Sequence, residues 1–202
     1  RDRDVTGVQT CALPILNNNE NFIATCNEED NINKSENIKV YDFLGNKIKE
    51  IDNSNDTTFF IDSYYDERSK KNYIITSNNG YIKSYDFSQN KLYKKYCDKD
   101  ERGHFSFIIN NDNGIVKIIE SVCDGNIRIW DLFSGKLLKR IKVSEMFRVY
   151  GLCLWNNNYL FAGCEDKKIK LINLIDGRII NELTGHSKDV LTVKKIYHPK
   201  YG

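Results

Sequence analysis

The chain has little of what marks a helical, exported, membrane-spanning or catalytic protein. Only two prolines and one methionine occur among 202 residues, and no stretch carries the 3.6-residue apolar period of a long amphipathic helix. Neither sign of charge is in excess: 30 Lys and Arg stand against 28 Asp and Glu. The lysines are spread along the chain, so the basic stripe that neutralises a nucleic-acid backbone is missing and nucleic acid is not the expected partner. No apolar run approaches the roughly 18 residues of a membrane span, and no apolar core follows a basic start as in an export signal. An intracellular protein, cytoplasmic or nuclear, is expected. The six cysteines, at 11, 26, 97, 123, 153 and 164, include no Cys-x-x-Cys pair. Cys153 and Cys164 lie in apolar strand-like runs, the pattern of small buried thiols in a reducing compartment.

Catalytic signatures are equally scarce. The three histidines, His104, His186 and His198, have no cysteine at zinc-ligand spacing, so neither metal nor cofactor is expected. Gly45, Gly80, Gly125, Gly135 and Gly177 are single turn glycines and form no phosphate-cradling loop. There is no Gly-x-Ser-x-Gly elbow and no His-Glu-x-x-His helix. No catalytic residue is assigned, and an enzyme is not expected within this chain.

What is present is a repeat. Ile38-Lys39-Val40-Tyr41-Asp42, Ile82-Lys83-Ser84-Tyr85-Asp86, Ile127-Arg128-Ile129-Trp130-Asp131 and Ile169-Lys170-Leu171-Ile172-Asn173 recur roughly 42 to 45 positions apart, the period of a four-stranded propeller blade. Asparagine gathers in the polar stretches between apolar runs, as in Asn78-Asn79-Gly80 and Asn110-Asn111-Asp112-Asn113-Gly114, where its tolerance of left-handed backbone suits hairpins. The intervening runs are strand-length and rich in β-branched and aromatic residues, so the chain reads as all-β. In the third unit the strands are expected at 106–109, 115–121, 126–130 and 136–141. In the fourth they are expected at 149–155, 159–162, 169–172 and 178–183. A further first strand is expected at 189–196, where the chain stops within a blade.

Two stretches carry a family resemblance: Asp124-Gly125-Asn126-Ile127-Arg128-Ile129-Trp130-Asp131, and Leu183-Thr184-Gly185-His186 with Val190, Val193 and His198-Pro199. They resemble the WD-repeat β-propeller family, in the divergent form found in Asn- and Lys-rich protist proteins. The resemblance covers residues 16–202 and implies an incomplete β-propeller of about four to four and a half four-stranded antiparallel blades. The units fall at about 16–58, 59–103, 104–145 and 146–185, with a partial unit at 186–202. Residues 1–15 lack Asn and Lys and resemble a translated adapter sequence of non-native origin, so they are left outside the fold.

The resemblance also implies site residues. The family's hydrogen-bonded set of His, Ser or Thr, Asp and Trp corresponds in the third unit to His104, Ser121, Asp124 and Trp130, although Ser121 stands one position closer to Asp124 than the family pattern has it. Trp130 is expected to lie buried against His104 and Ser121. The partner-binding rim corresponds to Phe107, Ile109, Arg148, Tyr150, Glu165, Asp189 and Leu191, with Cys123 just before the turn. Arg148 and Tyr150 lead, because arginine and aromatic residues anchor interfaces. The lengthened loop at 27–37, with Glu28-Glu29-Asp30, is expected to be solvated.

The implied function is a non-catalytic protein-interaction scaffold or adaptor that binds a protein or peptide and is completed by flanking blades. A rival expectation is a targeting or regulatory propeller of a larger enzyme, such as a kinase or ubiquitin-ligase component. A lipid-binding propeller is disfavoured, since Phe147-Arg148-Val149 is the nearest run to the Phe-Arg-Arg-Gly motif.

Overall fold

The computed structural model describes residues 14–17, 20–25, 37–53, 58–78, 80–98 and 104–197. Sixteen β-strands occur among them, in four four-stranded antiparallel sheets. Sheet 1 contains β1 (Pro14–Asn17), β2 (Glu20–Thr25), β3 (Ile38–Tyr41) and β4 (Lys47–Ile51). Sheet 2 contains β5 (Thr58–Asp66), β6 (Lys71–Asn78), β7 (Ile82–Asp86) and β8 (Lys91–Tyr96). Sheet 3 contains β9 (His104–Asp112), β10 (Ile115–Val122), β11 (Asn126–Asp131) and β12 (Leu137–Lys142). Sheet 4 contains β13 (Val149–Asn156), β14 (Tyr159–Cys164), β15 (Ile169–Asn173) and β16 (Ile179–Leu183). Within each sheet spatial order follows chain order. The chain is thus all-β, and its repeated four-stranded meanders are compatible with the blades of a propeller. No helix among the described residues is long and apolar enough to cross a membrane.

The four repeat motifs are the third strands, β3, β7, β11 and β15. Their closing Asp or Asn has a local cause: each side chain accepts a backbone N–H from the turn that follows. Asp42 accepts from Asn46 at 2.8 Å, Asp86 from Ser88 at 2.9 Å, Asp131 from Ser134 at 2.6 Å and Asn173 from Ile175 at 2.8 Å. A short side-chain acceptor satisfies donors that the tight turn exposes. At the β10–β11 turn Gly125 has φ +77°, and an added Cβ would stand 2.2 Å from Ser144 O. Only glycine lets the Val143 and Ser144 N–H groups reach the Gly125 carbonyl, at 2.9 and 3.1 Å.

Two compact units divide the chain, residues 1–97 and 98–202. In the first, Ala24, Ile38, Val40 and Ile51 of sheet 1 form one apolar cluster with Ile61, Ile74 and Tyr85 of sheet 2 and with Phe87. In the second, Ile119, Ile127, Ile129 and Ile141 of sheet 3 pack with Val149, Leu152, Leu160, Ala162, Cys164 and Ile172 of sheet 4. Burial of such side chains, at about 1.5–3 kcal/mol each, is what holds one sheet on the next.

Two strand expectations need correction. The segment left outside the fold reaches into sheet 1: β1 pairs Pro14 with Ile23 and Ile15 with Phe22, so the sheet begins two residues before position 16. Residues 189–196 form no strand. They lie across sheet 4 without a ladder, held by the Val190 N–H on Cys164 O at 3.1 Å. Loop residues 27–36 and the pair His198-Pro199 fall outside the described residues.

Candidate functional site

The buried polar set of sheet 3 differs from the expected one. Trp130 is 3% exposed, but its indole Nε1 donates to Glu120 Oε1 at 2.8 Å. Register explains this. Trp130 stands opposite Ile118 and Arg128 opposite Glu120, so Trp130, Arg128 and Glu120 share one face while Ser121, opposite Ile127, points to the other. The one-position offset of Ser121 therefore moves it to the wrong side. There its hydroxyl donates to Tyr150 O at 2.7 Å, alongside that of Ser106, also at 2.7 Å, and joins sheet 3 to β13. Asp124 does belong to the network: it accepts from the Asn126 N–H at 2.9 Å and from Arg128 Nη2 at 3.3 Å. The His104 side chain lies outside the described residues.

Arg128, fully buried, is the centre that the sequence reading missed. Its guanidinium lies 4.0 Å from Glu120 Oε1 and 3.9 Å from Asp98 Oδ2, and Asp98 is paired in turn with Arg140. Sheets 2 and 4 carry the same device. Lys83 on β7 donates to Asn53 O at 2.9 Å, and Lys170 on β15 donates to Val143 O at 3.1 Å beside Asp166, also at 3.1 Å. Asn53, Asp98 and Val143 each lie on the segment that enters the sheet whose third strand carries the cation. The signal was in the repeat, whose second residue is Lys, Lys, Arg and Lys. Its burial was not legible, because a cation inside a strand ordinarily marks an exposed face.

Five of the seven expected rim residues come together at the edge of sheet 4. The Arg148 N–H donates to Glu165 Oε2 at 2.9 Å, and the Glu165 N–H donates back to Arg148 O at 3.0 Å. Tyr150 neighbours both partners of this exchange. Burial raises its phenol above the ordinary value, the nearby Glu165 and Asp189 carboxylates push it further, and the hydrogen-bonded Arg148 guanidinium works against them. Leu191, 65% exposed, follows Asp189 on the segment that crosses this edge. That segment runs so close that a Cβ on Gly151 would stand 2.7 Å from Leu191 O. Met146 and Phe147, which the sequence reading did not place on the rim, extend it with two exposed apolar side chains beside Arg148.

The remaining rim expectations fare differently. Phe107 is 2% exposed and stands opposite Glu120, on the face that carries Trp130, so it offers no surface to a partner. Ile109 is half-buried opposite Ile118, and Cys123 is half-buried at the β10–β11 turn. Cys153 and Cys164 are buried as expected. Burial pushes the Cys164 thiol up to about 11, which keeps it protonated and unreactive. No protein-family model matches the chain, and no curated protein matches it.

Proposed function

We propose that the chain is part of a WD-repeat β-propeller that works as a non-catalytic protein-interaction scaffold, gripping a protein or peptide through the rim around Arg148 and Tyr150. The observation that carries this reading is the joining, at one edge, of the mutual Arg148–Glu165 hydrogen bonds, Tyr150, Asp189 and the exposed Leu191. Glu165 pins the Arg148 main chain and the Arg148 side chain hydrogen-bonds Tyr150, so the two side chains lose less entropy on binding, and an exposed leucine beside them supplies apolar area. The four-sheet repeat, the motif at residues 124–131 and the mixed-sign surface favour a rigid scaffold with recognition at its loops.

The test is affinity capture with the double variant Arg148→Ala, Tyr150→Ala beside the unaltered chain. A protein retained by the unaltered chain should be lost from the variant, whose circular dichroism should be unchanged. An identical captured set would remove the rim from the binding surface. Collapse of the variant's fold would make the two residues part of the core instead.

A further inference from the structure

Between sheets 3 and 4, beside the hairpin turns that follow β9 and β13, lies a cavity of about 260 Å3. It is smaller than the roughly 300–1,000 Å3 of pockets for drug-sized ligands, so it suits one or two side chains rather than a cofactor. Its floor is aliphatic, formed by Ile119 and Ile129, and Leu174 stands on the sheet 4 side.

Around that floor the one carboxylate, Asp112, is already engaged, and two donor groups are left without a full match. Lys117 is neutralised, its Nζ donating to Asp112 Oδ2 at 2.6 Å. Lys139 is not. Its Nζ donates to the carbonyls of Leu174 at 3.0 Å and Ile175 at 2.5 Å, and among the described residues no carboxylate stands within salt-bridge distance of it. Two carbonyl dipoles satisfy two ammonium protons and leave the charge unbalanced. Asn110 also lines the cavity, is 7% exposed, and has no hydrogen-bond partner for its Nδ2. A buried donor without an acceptor loses its hydration and gains nothing in exchange, so an incoming acceptor is favoured. The nitrogen is shielded from solvent, but the terminal amide torsion is soft, so a modest turn brings it to an acceptor in the cavity.

We propose that this cavity receives an aliphatic side chain of a partner peptide with a carboxylate beside it. The aliphatic group fills the space over Ile119 and Ile129, the carboxylate meets Lys139, and a peptide carbonyl supplies the acceptor that Asn110 lacks. The assignment deepens the protein-interaction reading and rests on it, but it uses none of the Arg148 rim.

The test is methyl NMR of the full chain titrated at millimolar concentration with three probes: acetyl-Leu-Asp-amide, acetyl-Leu-Asn-amide and the free acid isocaproate. The Leu-Asp probe should shift the Ile119, Ile129 and Leu174 methyls, with the Leu-Asn probe about fivefold weaker because a charge-assisted contact is lost. Lys139→Met should erase that preference while the methyl dispersion persists. The comparison of the two peptides needs no variant and decides the matter even where Lys139→Met fails to fold. Equal response to both peptides, response only at other methyls, no response, or response to isocaproate alone would each overturn the proposal. None of these outcomes touches the capture experiment on the rim, so the two readings fail separately.

Discussion

Sheets 3 and 4 place the same backbone positions in the same register and fill them with opposite chemistry. Trp130 stands opposite Ile118 and Arg128 opposite Glu120 in sheet 3; in sheet 4 Ile172 stands opposite Leu160 and Lys170 opposite Ala162. A hydrogen-bonded Trp130–Glu120 pair in one sheet is therefore an apolar Ile172–Ala162 pair in the other, all four buried. The cation and the turn aspartate are kept in both, as Arg128 with Asp124 and Lys170 with Asp166. A sheet of this repeat can thus be built on either a polar or an apolar pair, while the cation that holds the incoming segment stays. Ser121 and Gly163 form a second contrast. One hydroxyl bonds Tyr150 O, whereas a Cβ on Gly163 would meet Val190 O at 2.5 Å.

The largest break in this comparison should come from Glu120→Ala. It leaves Trp130 without its acceptor and Arg128 with one fewer buried carboxylate, at about 3–5 kcal/mol. A urea midpoint equal to that of the unaltered chain would show that the pair does not matter. Trp130→Phe should cost about 1–3 kcal/mol by taking the indole donor away from the buried Glu120 carboxylate. Importing sheet 4's solution whole, as Glu120→Ala with Trp130→Ile, should cost less than the summed single changes by about 0.5–3 kcal/mol. Strict additivity would refute the coupling.

Gly163→Ser imports sheet 3's serine into sheet 4, where a neighbouring backbone occupies the space. About 1–3 kcal/mol is expected, together with release of residues 189–197. Limited proteolysis reads that release directly, and an unaltered cleavage pattern would count against it.

Acid distinguishes the sheets more gently. Burial raises the Asp86 carboxyl, but hydrogen bonds from Ser88, Lys71 and Gln89 outweigh it and bring the group from 3.8 down to about 2. Its stabilising contribution is present above the unfolded value near pH 4 and is lost as pH falls toward 2. Asp86→Asn should flatten the stability profile in that window, and an unchanged slope would show that the hydrogen bonds are not held. The smallest effect is chemical. Cys164 should resist alkylation in the folded chain while the exposed Cys97 reacts, and equal rates would mean that sheet 4 opens readily.

Much of the fold was legible because it depends on period and turn chemistry. The four motifs are the third strands, and the expected strands of the third and fourth units begin and end within two residues of the observed ones, apart from the end of β9 at Asp112. What escaped depends on which face a residue takes. Ser121 and Glu120 are neighbours in sequence and on opposite sides in space, so choosing the hydroxyl over the carboxylate chose the wrong face. Phe107 was placed by family position, and its burial follows from the same alternation. Residues 189–196 have a strand's composition but no partner strand among the described residues, and composition alone builds no ladder. On the rim, the sequence offered Arg148 and Tyr150 as interface types. Their contacts with Glu165 and Asp189 required three separate chain segments to meet.

The cation on three of the third strands, β7, β11 and β15, acts as a gauge of chain length. Because Lys83, Arg128 and Lys170 each reach back to Asn53, Asp98 and Val143, they fix the phase at which the chain enters the sheet as well as the direction it takes afterwards. One residue inserted between Tyr96 and Asp98 would slide the carboxylate away from Arg128 and put a neighbour of different chemistry in its place. The same residue inserted after Asp98 would leave that contact where it is. Length variation among proteins built on this repeat should therefore gather downstream of the gauge point and be rare in the one or two residues upstream of it.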